Sequence, residues 1–515
     1  MESKWWTLLA VCLGVFMLLI DVTVVNTALP DIQRSLHSSF SDLQWVVNAY
    51  ALTLAAFLLT AGAISDLVGR RRVFTTGLVV FTAASLACGA AQSPTMLNLS
   101  RGVQGVGGAI MLSSSLALIA NAFRGRDRGT AFAVYGAVLG AAVAIGPLVG
   151  GGLTSGLGWR WIFFVNVPIG VLGVVLTITR VAESRDPQAH GVDWAGLVTF
   201  SSGLFLLIYA LTQGNAKGWG STEIVVCLAL AVALLTAFAV AERLQERPMF
   251  DLALLRRPAF AGASLVGFAL SASMFSLYLY LTLYIQNVLG YSPFDAGLRF
   301  LPMTVLLFFV SPISGRLTVR MPVRIILSTG LALIAVSLVL MAGLSASSGY
   351  SHLLAGFIVG GLGIGIVTPA LASTAVAVVP PDRAGMASGI NSTFRQVGIG
   401  VGVAGLGAIF QHEVAARTTA GLARRGVTAA VERATHGRLA ATYASGETGH
   451  LARALPPHLR HAVIASYDSA FTGALNEILL IAAVVAMIGA IGGLALVRTR
   501  DFAAGARREP APAEA

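Results

Sequence analysis

The sequence predicts an all-α integral membrane protein in which two six-helix bundles flank a pair of inserted helices. Three observations lead to this prediction: an apolar composition, fourteen apolar runs long enough to cross a bilayer, and an internal repeat. Of the 515 residues, 56% are hydrophobic and 11% are charged, whereas soluble chains carry roughly 25% charged residues. The composition therefore excludes an ordinary soluble enzyme or binding module.

The apolar runs define the candidate membrane spans, because about 20 apolar residues cross a bilayer as a helix. The fourteen runs lie near residues 5–28, 44–65, 73–92, 95–121, 130–154, 161–179, 194–213, 222–241, 260–285, 296–315, 323–344, 351–378, 386–410 and 470–497.

The second half of the chain repeats landmarks of the first half at an offset of 253 to 255 residues. Ser39 and Asp42, after the first span, recur as Ser292 and Asp295 after the ninth span. The other matches pair Ile32, Gln33 and Leu36 with Ile285, Gln286 and Leu289, Gly62 with Gly315, and Asp127-Arg128 with Asp382-Arg383. This register pairs spans 1–6 with spans 9–14.

The repeat predicts the domain organisation. The segments are a six-helix bundle over 1–180, two inserted helices over 194–241, a second bundle over 260–497 with an extracellular loop over 412–468, and a disordered cytoplasmic tail over 498–515. Transporters built from two parallel repeats bind their substrate between the repeats, near the middle of the membrane. The alternative, two unrelated bundles, leaves the common offset unexplained.

The basic residues indicate a membrane orientation and argue against nucleic acid as a partner. The net charge is +11, but most Lys and Arg lie at one set of helix ends. The short loops on the opposite side carry only Arg34, Arg160, Lys217 and Arg299. Since basic residues stay on the cytoplasmic side, both termini are predicted to be cytoplasmic. Arg, Ala and Gly are frequent and Lys is almost absent, which is typical of a GC-rich bacterial genome.

Asp21 is the first functional candidate, because it interrupts the apolar run of the first span. Carboxylates inside membrane spans are disfavoured and usually functional. Arg101 in the fourth span is expected at a similar depth, with Gln104 one helical turn away on the same face. A buried carboxylate beside a movable cation can titrate near neutral pH, as a proton-coupled carrier requires. A purely structural Asp21–Arg101 pair is the alternative.

The second half lacks this pair, because Met274 stands at the position equivalent to Asp21 and no Arg matches Arg101. Its candidate cavity residues are Asn391, Arg395, Gln396 and Glu477. Arg395 and Gln396 either face the cavity or stabilise loop carbonyls. Glu477 serves either a proton relay or a water-facing structural role.

Glycines mark two further candidate elements. Gly62, Asp66, Gly69, Arg70 and Arg71 predict a tight cytoplasmic loop that latches the carrier in one conformation, with an ordinary positive-inside loop as the alternative. In span 5, small residues at roughly four-residue steps predict a close helix contact, and the proline permits a kink. The residues of this seam are Gly136, Gly140, Gly146, Pro147, Gly150 and Gly151.

Taken together, these motifs resemble the major facilitator superfamily. The segment from Gly62 to Arg72 is similar to its loop 2–3 signature, and Arg101 to Gly105 to its span 4 motif. Gly146 to Gly151 resembles the motif of its antiporters. The runs Asp21–Pro30, which includes Asn26, and Trp159–Pro168 resemble the fourteen-spanner drug:proton antiporter branch.

The resemblance implies the major facilitator fold and proton-driven export of lipophilic, often cationic, drugs or antibiotics across the plasma membrane by alternating access. It implies that Asp21, Asn26, Arg101 and Gln104 take part in proton coupling or substrate binding. The second-half copy of the loop signature departs from the pattern, since Val319 replaces the Asp and Pro322 the Gly. That half of the latch is therefore in doubt.

Two other functions stay open at this stage. A transporter of one metabolite or siderophore could use the same fold, although it would leave the antiporter motif unexplained. A membrane enzyme would need a polar catalytic cluster within the spans, and the sequence indicates none. We expect no cofactor, no metal site and a monomer whose partners are protons, a small-molecule drug and the lipid bilayer.

Overall fold

The protein is a bundle of long helices. The computed structural model describes residues 3–123, 125–185, 191–245, 250–318, 320–378, 384–430 and 456–498, and every regular element in these ranges is helical. The helices are α1 (Ser3–Leu36), α2 (Phe40–Val68), α3 (Arg70–Gly89), α4 (Pro94–Ala122), α5 (Gly125–Leu157), α6 (Trp161–Phe164), α7 (Asn166–Arg180), α8 (Trp194–Lys217), α9 (Thr222–Leu244), α10 (Pro258–Leu270), α11 (Ser276–Leu283), α12 (Pro293–Leu317), α13 (Val323–Met341), α14 (Ser351–Ala377), α15 (Ala384–Arg424) and α16 (Pro457–Leu496).

Fourteen helical stretches of the described chain are long and apolar enough to cross a membrane, which confirms the predicted number. Two of them are composite. A short break at Val165 separates α6 from α7 within one span, and π-helical turns over Ser271–Phe275 and Tyr284–Val288 flank α11 within another. Helices suit this setting because each backbone group finds its hydrogen-bond partner within the same segment.

The internal repeat is visible in the helix caps. Ser39 caps α2 by accepting a hydrogen bond from the Asp42 amide, and the Asp42 carboxylate accepts from the Ser39 amide. Ser292 caps α12 in the same way, accepting from the Asp295 amide. Such caps satisfy amides at the helix start that lack partners within the helix. The repeated Ser-x-x-Asp pattern therefore encodes the same turn twice.

The predicted loop over 412–468 is wrong at both ends. Residues 412–424 continue α15, and residues 457–468 belong to α16. Leu422, Leu459 and Val463 form a small apolar cluster between the two extensions. The sequence prediction ended the spans where hydropathy falls, but both more polar segments remain helical. Residues 412–424 contain four alanines, which favour helix. Residues 431–455 and the predicted tail from residue 499 lie outside the described residues.

The inserted helices contact both sides of the protein. α8 packs against α9, against α2 of the first bundle and against α15 of the second bundle. The Ser41 hydroxyl donates to the Thr212 carbonyl, and the Asn215 amide donates to the Ala408 carbonyl. The end of the protein at which α1 begins is called proximal here, and the end at which α1 finishes is called distal.

Candidate functional site

Asp21 and Arg101 form an ion pair in the first bundle. Arg101 Nη1 lies 2.5 Å from Asp21 Oδ2, and the two residues are 2% and 1% exposed. The expectation that α1 and α4 bring these residues to the same depth is confirmed. Burial of two opposite charges requires such direct contact, because each ion alone would pay a large desolvation penalty.

Two amides complete the surroundings of the Asp21 carboxylate. Gln104 Nε2 donates to Asp21 Oδ1 at 2.9 Å, and Asn166 Nδ2 donates to the same oxygen at 3.0 Å. Both amides also donate to the Ser85 hydroxyl, at 3.2 and 3.0 Å. The carboxylate therefore accepts hydrogen bonds at both oxygens, from Arg101, Gln104 and Asn166.

Arg101 has partners besides the carboxylate. Its Nε donates to the Val46 carbonyl at 3.0 Å, and its Nη1 also donates to Gln104 Oε1 at 2.7 Å. The guanidinium carbon lies 4.3 Å from the centre of the Tyr50 ring, a distance at which cation–π attraction operates. α2 thus supplies a carbonyl and an aromatic face that hold the cation independently of Asp21.

Three side chains of this network were missed by the sequence reasoning: Tyr50, Ser85 and Asn166. Asn166 belongs to the Trp159–Pro168 run that carried part of the resemblance, so its motif offered a signal. Asn26 does not join the network. Its Nδ2 donates to the Val22 carbonyl of its own helix at 3.1 Å.

Gly146 and Gly150 of the glycine seam pack against α1, as predicted for a small-residue contact. A Cβ on Gly146 would overlap the Thr23 side chain, and a Cβ on Gly150 would overlap the Thr27 side chain. Only glycine permits this approach. α1 is therefore held on one side by the polar network and on the other by α5.

The next face of α5 contacts the second bundle. A Cβ on Gly151 would overlap the Pro293 carbonyl, and a Cβ on Gly297 would overlap the Pro147 carbonyl. The Phe294 amide donates to Ser155 Oγ at 3.0 Å. Gly146, Gly150, Gly151 and Pro147 thus join α1, α5 and α12 near the distal end.

Hydrogen bonds from two glutamines also join the bundles at the distal end. Gln286 Nε2 donates to the Thr27 carbonyl at 2.7 Å, and Gln44 Nε2 donates to the Val403 carbonyl at 2.8 Å. The rings of Phe40, Tyr280 and Phe410 pack around this second contact, with centroids 5.3 to 5.9 Å apart. We call these contacts, with those of Gly151 and Gly297, the distal seal.

The proximal part of α5 is packed more loosely. The nearest side-chain atom to a Cβ on Gly140 would be Phe308 Cδ2 at 3.9 Å, and no described atom lies within 4 Å of a Cβ on Gly136. Val134 is 40% exposed. Among the described residues, α5 is therefore packed tightly at its distal end and loosely toward its proximal end.

The predicted loop from Gly62 to Arg72 is wrong, because helix continues to Val68 and resumes at Arg70. Gly69 is the only break, with a φ of 125° that favours glycine. Asp66 accepts from Arg70 Nε at 3.0 Å. One residue suffices for the turn, so α2 and α3 follow each other almost directly.

Glu183, which the sequence reasoning missed, caps the start of α3. Its Oε1 accepts from the Arg71 amide at 3.0 Å, and its carboxylate lies 3.8 Å from Arg71 Nε and 3.7 Å from Arg72 Nε. A carboxylate at a helix N-terminus is favoured by the helix dipole. The segment after α7 is thereby fixed to the start of α3.

The four candidates of the second half do not form one site. Asn391 Nδ2 donates to the Ala263 carbonyl at 3.3 Å, and Gln396 is half-buried on α15. Arg395 packs beside Asn391 against α10. Glu477 lies elsewhere: it accepts from Arg417 Nη2 at 2.7 Å.

Arg417 also donates to Glu413 at 2.7 Å, so Glu477 belongs to a three-residue ion cluster between α15 and α16. The side chains of Arg417 and Glu477 are 42% and 38% exposed. This placement corresponds to the structural alternative for Glu477. Among the described residues, no group of three or more His, Cys, Asp or Glu is placed to hold a metal ion.

Comparison with known proteins identifies the class. The family model of the Major Facilitator Superfamily matches residues 11–403. Among solved structures, a bacterial homologue of the human lysosomal transporter Spinster, in an inward-facing and unoccupied conformation, has a TM-score of 0.59 at 18% identity and covers 99% of each chain. This likeness shows the fold. The chain belongs to the major facilitator superfamily and is a multi-pass membrane transporter.

The curated relatives have names that refer to drug resistance. The chain is 37% identical to the multidrug resistance protein Stp of Mycobacterium tuberculosis, over 79% of this chain and 76% of that protein. It is 34% identical to the tetracenomycin C resistance and export protein of Streptomyces glaucescens, over 80% and 76%. It is 36% identical to the puromycin resistance protein of Streptomyces alboniger, over 80% and 83%. These relatives are bacterial drug and antibiotic efflux transporters.

Proposed function

We propose that the chain is a proton-coupled antiporter that exports lipophilic drugs or antibiotics across the plasma membrane by alternating access. The observation that carries this proposal is the buried Asp21 carboxylate, held by Arg101, Gln104 and Asn166 in the first bundle. Intramembrane carboxylates of this kind serve proton transfer in pumps and transporters. The names of the relatives support export over import of a nutrient.

The proposal includes a proton-binding step at Asp21. A proton on Asp21 removes its negative charge and weakens the ion pair with Arg101. The guanidinium then still has the Val46 carbonyl, the Gln104 side chain and the Tyr50 ring. Because the cation stays solvated by the protein in both states, Asp21 can gain and lose a proton in each cycle without leaving Arg101 unpartnered.

The same helix links protonation to the distal seal. Thr27 lies less than two turns beyond Asp21 on α1, and its carbonyl accepts the hydrogen bond from Gln286 of the second bundle. Its side chain also packs against Gly150 of α5. We infer that a shift of α1 after protonation loosens these contacts, opens the distal side and closes the proximal side.

The orientation in the proposal places the proximal end in the cytoplasm. Lys4, Arg70 to Arg72 and Arg180 lie at that end, in agreement with the positive-inside rule. Drug would bind from the cytoplasm while Asp21 is deprotonated and leave on the distal side, where a proton binds. Each positive charge that moves inward gains about 2.3 kcal/mol per 100 mV.

Asp21→Asn tests this function. In proteoliposomes with an imposed pH gradient, the variant should lose proton-driven accumulation of puromycin, because the amide cannot carry a proton through the cycle. Exchange of labelled for unlabelled puromycin without a gradient should persist, since it needs the conformational change but no net proton transfer. Asn also preserves an acceptor oxygen for Gln104 and Asn166.

Glu223→Gln is the matched control, since Glu223 is an exposed acid on α9 that pairs with Lys217. It should retain gradient-driven accumulation. Wild-type accumulation by Asp21→Asn would refute the coupling role. Accumulation of substrate in right-side-out vesicles, without accumulation in inside-out vesicles, would identify the chain as an importer.

A further inference from the structure

Arg395 lies in the second bundle, and among the described residues no acid forms an ion pair with its guanidinium group. Its Cγ would lie 3.2 Å from a Cβ on Gly267 of α10, with Leu371 of α14 and Asn391 beside it. Its Nε is buried and has no hydrogen-bond partner among the described residues. The aliphatic stem is thus packed between helices while the cationic group lacks the partners that Arg101 has.

The acids of the second bundle lie at its ends. Asp295 caps α12, and Asp251 precedes α10. Glu413 and Glu477 are held by Arg417, and Glu413 lies about 27 Å from Arg395 along α15 at 1.5 Å per residue. Asp468 lies on the distal extension of α16. Within the part of the chain that the structure describes, no acid neutralises Arg395.

A second unpartnered donor lies on the facing helix. The Ser271 hydroxyl is buried and has no hydrogen-bond partner among the described residues. Ser271 begins the π-helical turn after α10, and its Cβ lies 3.0 Å from a Cβ placed on Gly398, one turn from Arg395. π-helical turns occur frequently at functional sites. Two donors for which the described residues provide no acceptor therefore lie about one helical turn apart along the contact between α10 and α15.

α15 is also the helix of the second bundle that contacts α2. A Cβ on Gly389 would lie 2.5 Å from Leu59 of α2, and one on Gly407 would overlap Gln44. Arg395 lies between these two points along α15, while its stem packs against Gly267 of α10. Transporters with two repeats bind their substrate at the interface between the repeats, so a cation at this level of the interface helix is a candidate contact for cargo.

We propose that Arg395, assisted by the Ser271 hydroxyl, binds an acidic group of the cargo, such as a carboxylate or an ionised phenol. The inference rests on the proposed export function and specifies its substrate class as lipophilic acids. A guanidinium has five donors in a planar fork that matches such oxygens. Asp21 and Arg101 neutralise each other, so Arg395 leaves one positive charge in the membrane interior, which favours an anion over the cation expected from the resemblance.

The charge balance of transport follows directly. Export of a monovalent anion moves negative charge outward, and entry of a proton moves positive charge inward. Both movements have the same electrical sign, so a negative interior potential drives both. Export of an acid should therefore respond to an imposed potential more steeply than export of its neutral analogue.

The test uses fluorescence to measure the affinity of the protein in detergent for pyrenebutyric acid and for its neutral amide. Arg395→Gln should weaken binding of the acid by roughly 10- to 100-fold, the range of a charge-assisted hydrogen bond, and change binding of the amide by less than about twofold. Arg395→Lys, which preserves the charge, should retain part of the preference. Arg424→Gln, on the exposed end of α15, is the control and should bind like wild type.

The proposal is overturned if wild type does not bind the acid more tightly than the amide, or if Arg395→Gln retains that preference. Asp21→Asn separates this result from the antiport mechanism, because it should preserve the preference for the acid. If the acid preference depends on Arg395 while no variant or wild type shows proton-driven transport, the antiport proposal fails and the recognition of acids stands.

Discussion

Arg101 lies on α4 of the first bundle and Arg395 on α15 of the second bundle. The surroundings of their guanidinium groups differ. Arg101 contacts a carboxylate, an amide oxygen, a backbone carbonyl and an aromatic ring. Arg395 has packing for its stem and an Nε without a hydrogen-bond partner among the described residues. The same side chain thus completes an internal network in one half and remains available to a ligand in the other.

The difference between the two arginines indicates that the two halves of this duplicated fold share local turns but not charged sites. The Ser of the Ser-x-x-Asp pattern caps the helix in both halves by accepting from the Asp amide, because each helix start needs a partner for its amides. Met274, however, occupies the position of Asp21 and is buried in the apolar core. Among the described residues, the buried ion pair is thus confined to the first bundle, whereas Arg395 of the second bundle has no acid partner.

The largest expected effect tests stability. Arg101→Gln leaves the Asp21 carboxylate without its cation and should lower the free energy of unfolding by about 3–5 kcal/mol. Arg395→Gln removes a cation with no described acid partner and should leave stability unchanged or raise it. Thermal unfolding in detergent at pH 8 measures the stability of both variants. Equal losses of stability in the two variants would contradict the proposed difference between the two arginines.

An intermediate effect concerns the amides near each arginine. Asn166→Ala removes a hydrogen bond to the Asp21 carboxylate, worth about 1.5–3 kcal/mol for a charged acceptor. Since this donor helps to hold the carboxylate in place, proton-driven accumulation of puromycin in proteoliposomes should fall well below that of wild type. Gln396→Ala, at a half-buried position of the second bundle, is the control and should accumulate puromycin like wild type. Wild-type accumulation by Asn166→Ala would argue that the hydrogen bonds around Asp21 are not needed for coupling.

The smallest expected effect comes from giving Arg395 a partner. Ser392→Asp places an acid three residues before Arg395 on α15, a spacing that allows an ion pair worth about 0.2–0.5 kcal/mol. Stability should hardly change, but the preference for pyrenebutyric acid over its amide should decrease. Ser392→Asn has nearly the same shape without the charge and should retain the preference. A persistent preference in Ser392→Asp would show that Arg395 does not carry it.

The sequence predicted what membrane physics imposes on single helices. Fourteen apolar stretches follow from the length needed to cross a bilayer, and contact between Asp21 and Arg101 follows from the penalty of burying either charge alone. The contacts of Gly146 and Gly150 with α1 follow from their lack of side chains. These features need only composition, spacing and depth.

The features that sequence did not predict depend on how helices rotate against each other. Asn166 donates to Asp21, and Ser85 accepts from the amides of Gln104 and Asn166, because of the way α7 and α3 are rotated about their axes. Hydropathy carries no information about this rotation. Glu183 caps α3 from a segment more than a hundred residues away along the chain. The length of α15 beyond residue 410 was underestimated because polar alanine-rich helix has the same composition as a loop.

The extensions of α15 and α16 offer a place to measure movement of the second bundle. α16 has 40 residues and is therefore about 60 Å long, and its distal part is braced by the Leu422, Leu459 and Val463 cluster. A tilt of the second bundle by about 10° would displace the tip of such a rod by about 10 Å. A fluorophore attached at this tip would therefore move by several ångströms when the buried helices tilt slightly. Single-molecule fluorescence could measure that displacement outside the membrane.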